Sequence, residues 1–124
     1  MEEKLKRELD LKIKGVKYTV KFPTVGEFLS IERYKMTLSA GQYSTMVSSG
    51  LISAGEALDL IDMIAYFTVL LPTLKESLKV DMFSDLDLMD AKELVDVYKK
   101  DMKPWVEGWM KVFSNPSKKE EKEE

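Results

Sequence analysis

The sequence predicts a mostly α-helical domain with a short N-terminal β-hairpin, an α+β arrangement of about four to six helices. Two observations carry this. Apolar and polar residues alternate over residues 9–14 and again past Gly15 to residue 22, the period of strands with one buried face. From residue 24 to 113 the apolar residues recur instead at helical spacing. The 124 residues suit one domain, and a chain of this size buries roughly two thirds of its unfolded surface. With 44% apolar and 33% charged residues, it has the balance of a folded globular chain. Residues 1–8 read as a charged, frayed lead-in, residues 9–113 as the domain, and residues 114–124 as a disordered charged tail.

In "LDLKIKGVKYTVKF", Leu9, Leu11 and Ile13 fall on one side, with Asp10, Lys12 and Lys14 on the other. Past Gly15 the alternation resumes with Tyr18, Val20 and Phe22. This is a hairpin over 9–22, and a lone hairpin is marginal, so its apolar face must lie on helices. "PTVGEFLSIERYKMTLS" opens the first helix, with Thr24 and Glu27 at capping-box spacing. Phe28, Ile31, Tyr34 and Leu38 form one apolar arc, and Val25, Leu29 and Met36 a second. Two apolar faces imply two neighbours.

"AGQYSTMVSSGLIS" predicts a loop around Gly41, a short helix over 43–48 and a stop near Gly50. Ser53 and Glu56 repeat the capping-box spacing and open the longest apolar helix, about residues 54–71. Only Asp59, Asp62 and Tyr66 share a narrow polar strip on it, apart from Thr68, so the helix is central. Pro72 ends or kinks it. "TLKESLKVDMF" is a short amphipathic piece or a loop. In the last region Ser84 or Asp90 is the candidate cap, and Asp90 with Glu93 gives another cap-like pair. Leu94, Tyr98, Met102, Trp105, Trp109 and Val112 share one face. Proline costs about 3 kcal/mol inside a helix but little at a first position, so Pro104 favours two helices, 88–101 and 104–113, over one kinked helix.

The chain has no Cys and no His, which removes thiolate chemistry, disulfides, the commonest general base and the commonest transition-metal ligand. "SDLDLMD" lacks the turn glycine and closing Glu of a calcium loop, and no phosphate-binding glycine motif is present. Asp59 and Asp62 share a helix face, yet a catalytic pair needs a raised pKa and a cleft of other polar groups. The plainer reading is the wet edge of a central helix. No cofactor, metal or catalytic residue is expected. With a net charge of −3 and no basic patch, nucleic acid is not an expected partner. "MEEKLKRELDLKIK" has no apolar core and reads as no signal peptide. "ALDLIDMIAYFTVLLP" falls short of the about 20 residues of a membrane span.

Of the eight methionines, Met36, Met46, Met63, Met82, Met89, Met102 and Met110 are read at helical positions, as core filler or as an adaptable binding face. Trp105 and Trp109 lie about 40° apart on a helical wheel. Their apolar arc, running from Val112 to Val106, is about half the helix wide, more than the ≳ 100° stripe that covers a core. One edge is expected in the fold and the other toward a partner, through Trp105, Val106, Trp109, Met110 and Phe113, since Trp dominates binding hot spots.

The order of these pieces resembles a tail assembly chaperone of a long-tailed, siphovirus-like bacteriophage. The resemblance covers residues 9–113 and rests on size, element order and the phrases "IERYKMTLSAGQY", "VLLPTLK" and "KPWVEGW". It implies a small helical protein in the host bacterial cytoplasm that binds the tape-measure protein and helps tail-tube subunits assemble around it. It also implies a longer, frameshifted form of the same chain, and a frame change after Ser117, at Lys118-Lys119, would replace only the charged tail. A homo-oligomer is compatible with this reading. The competing readings are a small virion component of head–tail connector type and a small inhibitor or regulator docking on a host protein. An enzyme ranks last.

Overall fold

The computed structural model of the chain describes residues 6–115. The expected charged tail therefore lies outside the described residues apart from Ser114 and Asn115, as do the frame-change position and the first five residues of the expected lead-in. An antiparallel hairpin, β1 (Glu8–Ile13) and β2 (Val16–Lys21), precedes six α-helical segments. The turn between the strands is Lys14-Gly15, with φ of 50° and 78°. Positive φ at both positions makes a two-residue turn whose twist matches the strands, and glycine meets that demand at no steric cost. Leu11, Ile13 and Val20 turn inward and are buried. Asp10, paired with Thr19, stays on the outer face, where the two side chains hydrogen-bond at 2.9 Å.

Helix α1 (Val25–Leu38) begins with the expected capping box: the Glu27 amide donates to Thr24 Oγ1 at 3.1 Å, and the Thr24 amide donates to Glu27 Oε1 at 2.9 Å. A short α2 (Tyr43–Ser49) follows and stops at Gly50, in the left-handed conformation. Helix α3 (Ile52–Leu70) is the central element, with Ile61, Met63, Ala65, Tyr66 and Phe67 all buried. Its start corrects the sequence reading. Leu51 is the N-cap without a side-chain bond, and Ser53 and Glu56 form no capping box because they already lie inside the helix. Pro72 follows its end, as expected. Then come α4 (Leu74–Leu78), whose Leu74 is buried, and a single 3₁₀ turn at Phe83–Asp85.

Helix α5 (Leu88–Val97) is capped by Asp87, whose carboxylate accepts from the Asp90 amide at 2.7 Å. Neither Ser84 nor Asp90 caps it. Glu93 reaches the hairpin instead, accepting from the Lys14 backbone amide at 2.8 Å. The expected break before Pro104 is absent. Backbone conformation stays helical from α5 through a π turn, Tyr98–Met102, into α6 (Lys103–Ser114). The Lys103 amide bonds back to the Tyr98 carbonyl, one residue further than in an α-helix. The wide turn has a packing consequence. Leu94, Tyr98 and Met102 are spaced by four, so an unbroken α-helix would rotate each successive residue off the face by about 40°. The extra residue per turn cancels that drift, and Leu94, Tyr98, Met102, Trp105 and Trp109 are all buried.

One cluster of buried side chains joins the hairpin, α3, α5 and α6. No single helix among the described residues is long and apolar enough to cross a membrane.

Candidate functional site

The tryptophan face goes to the core. Trp105, Val106 and Trp109, expected toward a partner, are buried. The Trp109 ring packs edge-on against Phe22 (5.4 Å between centroids), Phe28 (6.0 Å) and Trp105 (6.3 Å). The hairpin end thus covers one flank of α6 and helix α1 the other, which is why an arc wider than a single contact needs can still be filled. Trp105 Nε1 donates to the Lys6 carbonyl at 3.0 Å, and the Arg7 guanidinium lies 4.9 Å above the Phe22 ring. Trp109 Nε1 is buried with no hydrogen-bond partner among the described residues. Of the five residues expected at a partner surface, Met110 is half-buried and Phe113 is 78% exposed. Val112 is exposed beside it.

Helix α1 shows a second open face. Helix α1 packs on α3, and of its first arc Ile31 is fully buried and Phe28 and Leu38 half-buried, whereas Tyr34 stays 42% exposed. Its second arc was expected to find another neighbour, and the described residues supply none that covers it. Val25, Leu29 and Met36 remain 78%, 55% and 49% exposed. At spacings of four and seven residues they form one stripe, about 16 Å long at 1.5 Å per residue.

The third feature is a polar cluster beside α3 that the sequence did not reveal. Asp62 lies on the strip expected to be wet, yet it accepts a 2.6 Å hydrogen bond from the Tyr43 hydroxyl of α2. Tyr66, on the same strip, is buried and stacks on Tyr98 of the π turn at 5.9 Å. Lys35 of α1 lies 5.5 Å from the Tyr43 ring and 5.2 Å from the Tyr66 ring, and pairs with Glu32 at 3.0 Å. Asp59 faces Lys99 at 3.5 Å and Lys103 at 3.9 Å. The strip is therefore roofed by α2 on one side and by the π turn on the other. Burial pushes the Asp62 carboxyl above its ordinary range, against the opposing effects of the Tyr43 bond and the Lys35 charge. Burial likewise raises the hydroxyls of Tyr43, Tyr66 and Tyr98, so all three remain protonated at neutral pH. The arrangement is a hydrogen-bonded tie between α2 and α3, with Tyr43 as donor and Asp62 as acceptor. No local signal in the sequence points to the cluster, because its members come from α1, α2, α3, the π turn and the start of α6.

Among the described residues no group of three or more acidic side chains is placed to hold a metal ion. Comparison of the chain with known proteins gives no match to a family model, to a curated protein or to a solved structure.

Proposed function

We propose that the chain is a tail assembly chaperone of a long-tailed bacteriophage, a non-catalytic protein that holds apolar helical segments of the tape-measure protein in the host cytoplasm while the tail tube assembles. The resemblance over residues 9–113 supplies the client. The observation that carries the reading is the uncovered stripe of Val25, Leu29 and Met36 on α1. A helix that packs one apolar face internally and leaves a second open suits helix-in-groove or helix-on-helix recognition, in which apolar anchors recur at helical spacing. Phe113 and Val112 at the end of α6 add exposed apolar surface.

The test is co-expression with the tape-measure protein, a long helical protein that this proposal expects to be encoded beside this chain. The client should become soluble and co-purify. Leu29→Glu combined with Met36→Glu should abolish both effects while the variant melts within a few degrees of the parent, since exposed substitutions usually change stability by no more than about 0.5 kcal/mol each. No gain in client solubility and no co-purification would remove the chaperone reading. Recovery of the chain from finished particles would replace it with a virion component. A longer frameshifted form is part of the same proposal, and an overlapping reading frame continuing from codons 117–119 is its check.

A further inference from the structure

Gly55 closes the first turn of α3, its amide bonded to the Leu51 carbonyl, and glycine inside a helix costs about 1 kcal/mol relative to alanine. Packing does not demand it: a Cβ placed there meets nothing within 4 Å, and its φ is not positive. What the absent side chain leaves is floor space in a cleft of about 510 Å³. The cleft follows one face of α3 through Ile52, Gly55, Glu56, Asp59 and Asp62, a length of about 15 Å. Tyr43 forms part of its lining from α2, and Lys103 from the start of α6. Ile52 is 84% exposed at one end, next to exposed Leu51. The other end is acidic. Three carboxylates line the cleft against one ammonium group. Asp62 is engaged by Tyr43 and Asp59 by two lysines at 3.5 and 3.9 Å, whereas Glu56 enters no ion pair among the described residues.

We propose that this cleft docks a partner protein segment that presents Lys or Arg beside an apolar side chain, the cation toward Glu56, the cleft carboxylate that enters no ion pair among the described residues, and the apolar group toward Ile52 and its exposed neighbour Leu51. Charge complementarity selects the cation, and the exposed isoleucine and leucine select its apolar neighbour. Gly55 keeps the floor low enough for the segment to approach the helix backbone. The surface lies on α3 and is separate from the α1 stripe, so it stands whether or not the tape-measure protein is the client.

The probe is a labelled 18-residue amphipathic helical peptide with Arg flanking a Leu stripe, titrated by fluorescence anisotropy. Two twins accompany it, one with Glu for each Arg and one with Ser for each Leu. The Arg–Leu peptide should bind, and both twins should bind about tenfold more weakly or not at all. Gly55→Leu fills the floor and should abolish binding while the melting temperature holds or rises, because leucine is the better helix former. Glu56→Lys should weaken binding about tenfold, and Glu107→Lys, the same charge change on α6, should leave it unaltered. Should Gly55→Leu fail to fold, the Glu56 and Glu107 pair still decides. Absence of binding by the parent chain overturns the proposal. So does equal binding of the Arg and Glu peptides, or an equal loss with Glu56→Lys and Glu107→Lys. Displacement of the peptide by equimolar free arginine would assign the cleft to a small cation and overturn the segment as its occupant.

Discussion

Two aromatic clusters hold this fold together by different physics. Phe22, Phe28, Trp105 and Trp109 meet edge-on where the hairpin, α1 and α6 converge. Tyr43, Tyr66 and Tyr98 gather beside α3 around Lys35 and Asp62. The first cluster is held by buried area and ring packing, and of its two indole N–H groups only that of Trp105 is bonded among the described residues. The second contains charge, and its polar groups Tyr43 and Asp62, and Lys35 and Glu32, depend on one another in pairs. The first should therefore respond to loss of volume and the second to loss of a partner.

The largest effects belong to volume. Trp105→Ala and Trp109→Ala should each cost about 3–5 kcal/mol in urea unfolding, since both rings are buried. A cost within about 0.5 kcal/mol at either position would mean that its ring is not core at all. Loss of a partner comes next. Tyr43→Phe keeps the ring under Lys35 but leaves the Asp62 carboxylate without its 2.6 Å donor. Stranding a fully buried acceptor costs about 1–3 kcal/mol, and half-buried Asp62 should fall toward the lower end of that range. Because this bond ties α2 to α3, hydrogen exchange should accelerate in α2 before the rest of the chain. Uniform acceleration would show that the tie is not local.

The same contrast separates what the sequence disclosed from what it did not. The hairpin, the Thr24–Glu27 cap, the stop at Gly50 and the end of α3 at Pro72 were legible because each rests on a short-range rule: alternation, side-chain-to-backbone reach, positive φ or a missing N–H. The width of the tryptophan arc was legible too, but not what covers it. A wheel places Trp109 on a face, yet it cannot show that Phe22 closes one flank and Phe28 the other. The π turn hides for a related reason, because Pro104 signals a disturbance without saying whether the helix stops or widens. The tyrosine cluster is the extreme case. Lys35, Tyr43, Asp62 and Tyr98 each have an ordinary surface or core reading alone, and only the packing of α1, α2 and the π turn onto α3 brings them together. Capping spacing also misled at Ser53–Glu56, where the chain was already helical, and at Asp90–Glu93, where Asp87 was the stronger cap.

A finer comparison uses conservative changes at the two tryptophans. Trp105→Phe removes the 3.0 Å bond to the Lys6 carbonyl as well as volume, while Trp109→Phe removes volume and an indole N–H that has no partner among the described residues. The first should cost more than the second by about 1 kcal/mol, the net worth of a typical hydrogen bond. Equal costs, or the reverse order, would show that Trp109 Nε1 is satisfied after all.

The smallest effect is a pH dependence confined to the tyrosine cluster. Burial raises the Asp62 carboxyl above its ordinary value, so between the unfolded and folded pKa the native state holds more of this proton than the unfolded state does. The slope of unfolding free energy with pH is then negative across that window. Asp62 therefore detracts from stability at neutral pH, and the deficit disappears as pH falls through its folded pKa toward the ordinary carboxylate value, about 4. Asp62→Asn keeps an oxygen to accept the Tyr43 hydroxyl and removes the charge. It should be more stable than the parent at about pH 7, and the gap should close on acidification to about pH 4. Other carboxylates impose their own slopes on both proteins, so the quantity to measure is the difference between the two urea-unfolding free energies across this range. A gap that stays flat would assign the difference to shape or hydrogen bonding. A gap that widens toward acid would mean that Asp62 is held as a stabilising anion, with Tyr43 and Lys35 outweighing its burial.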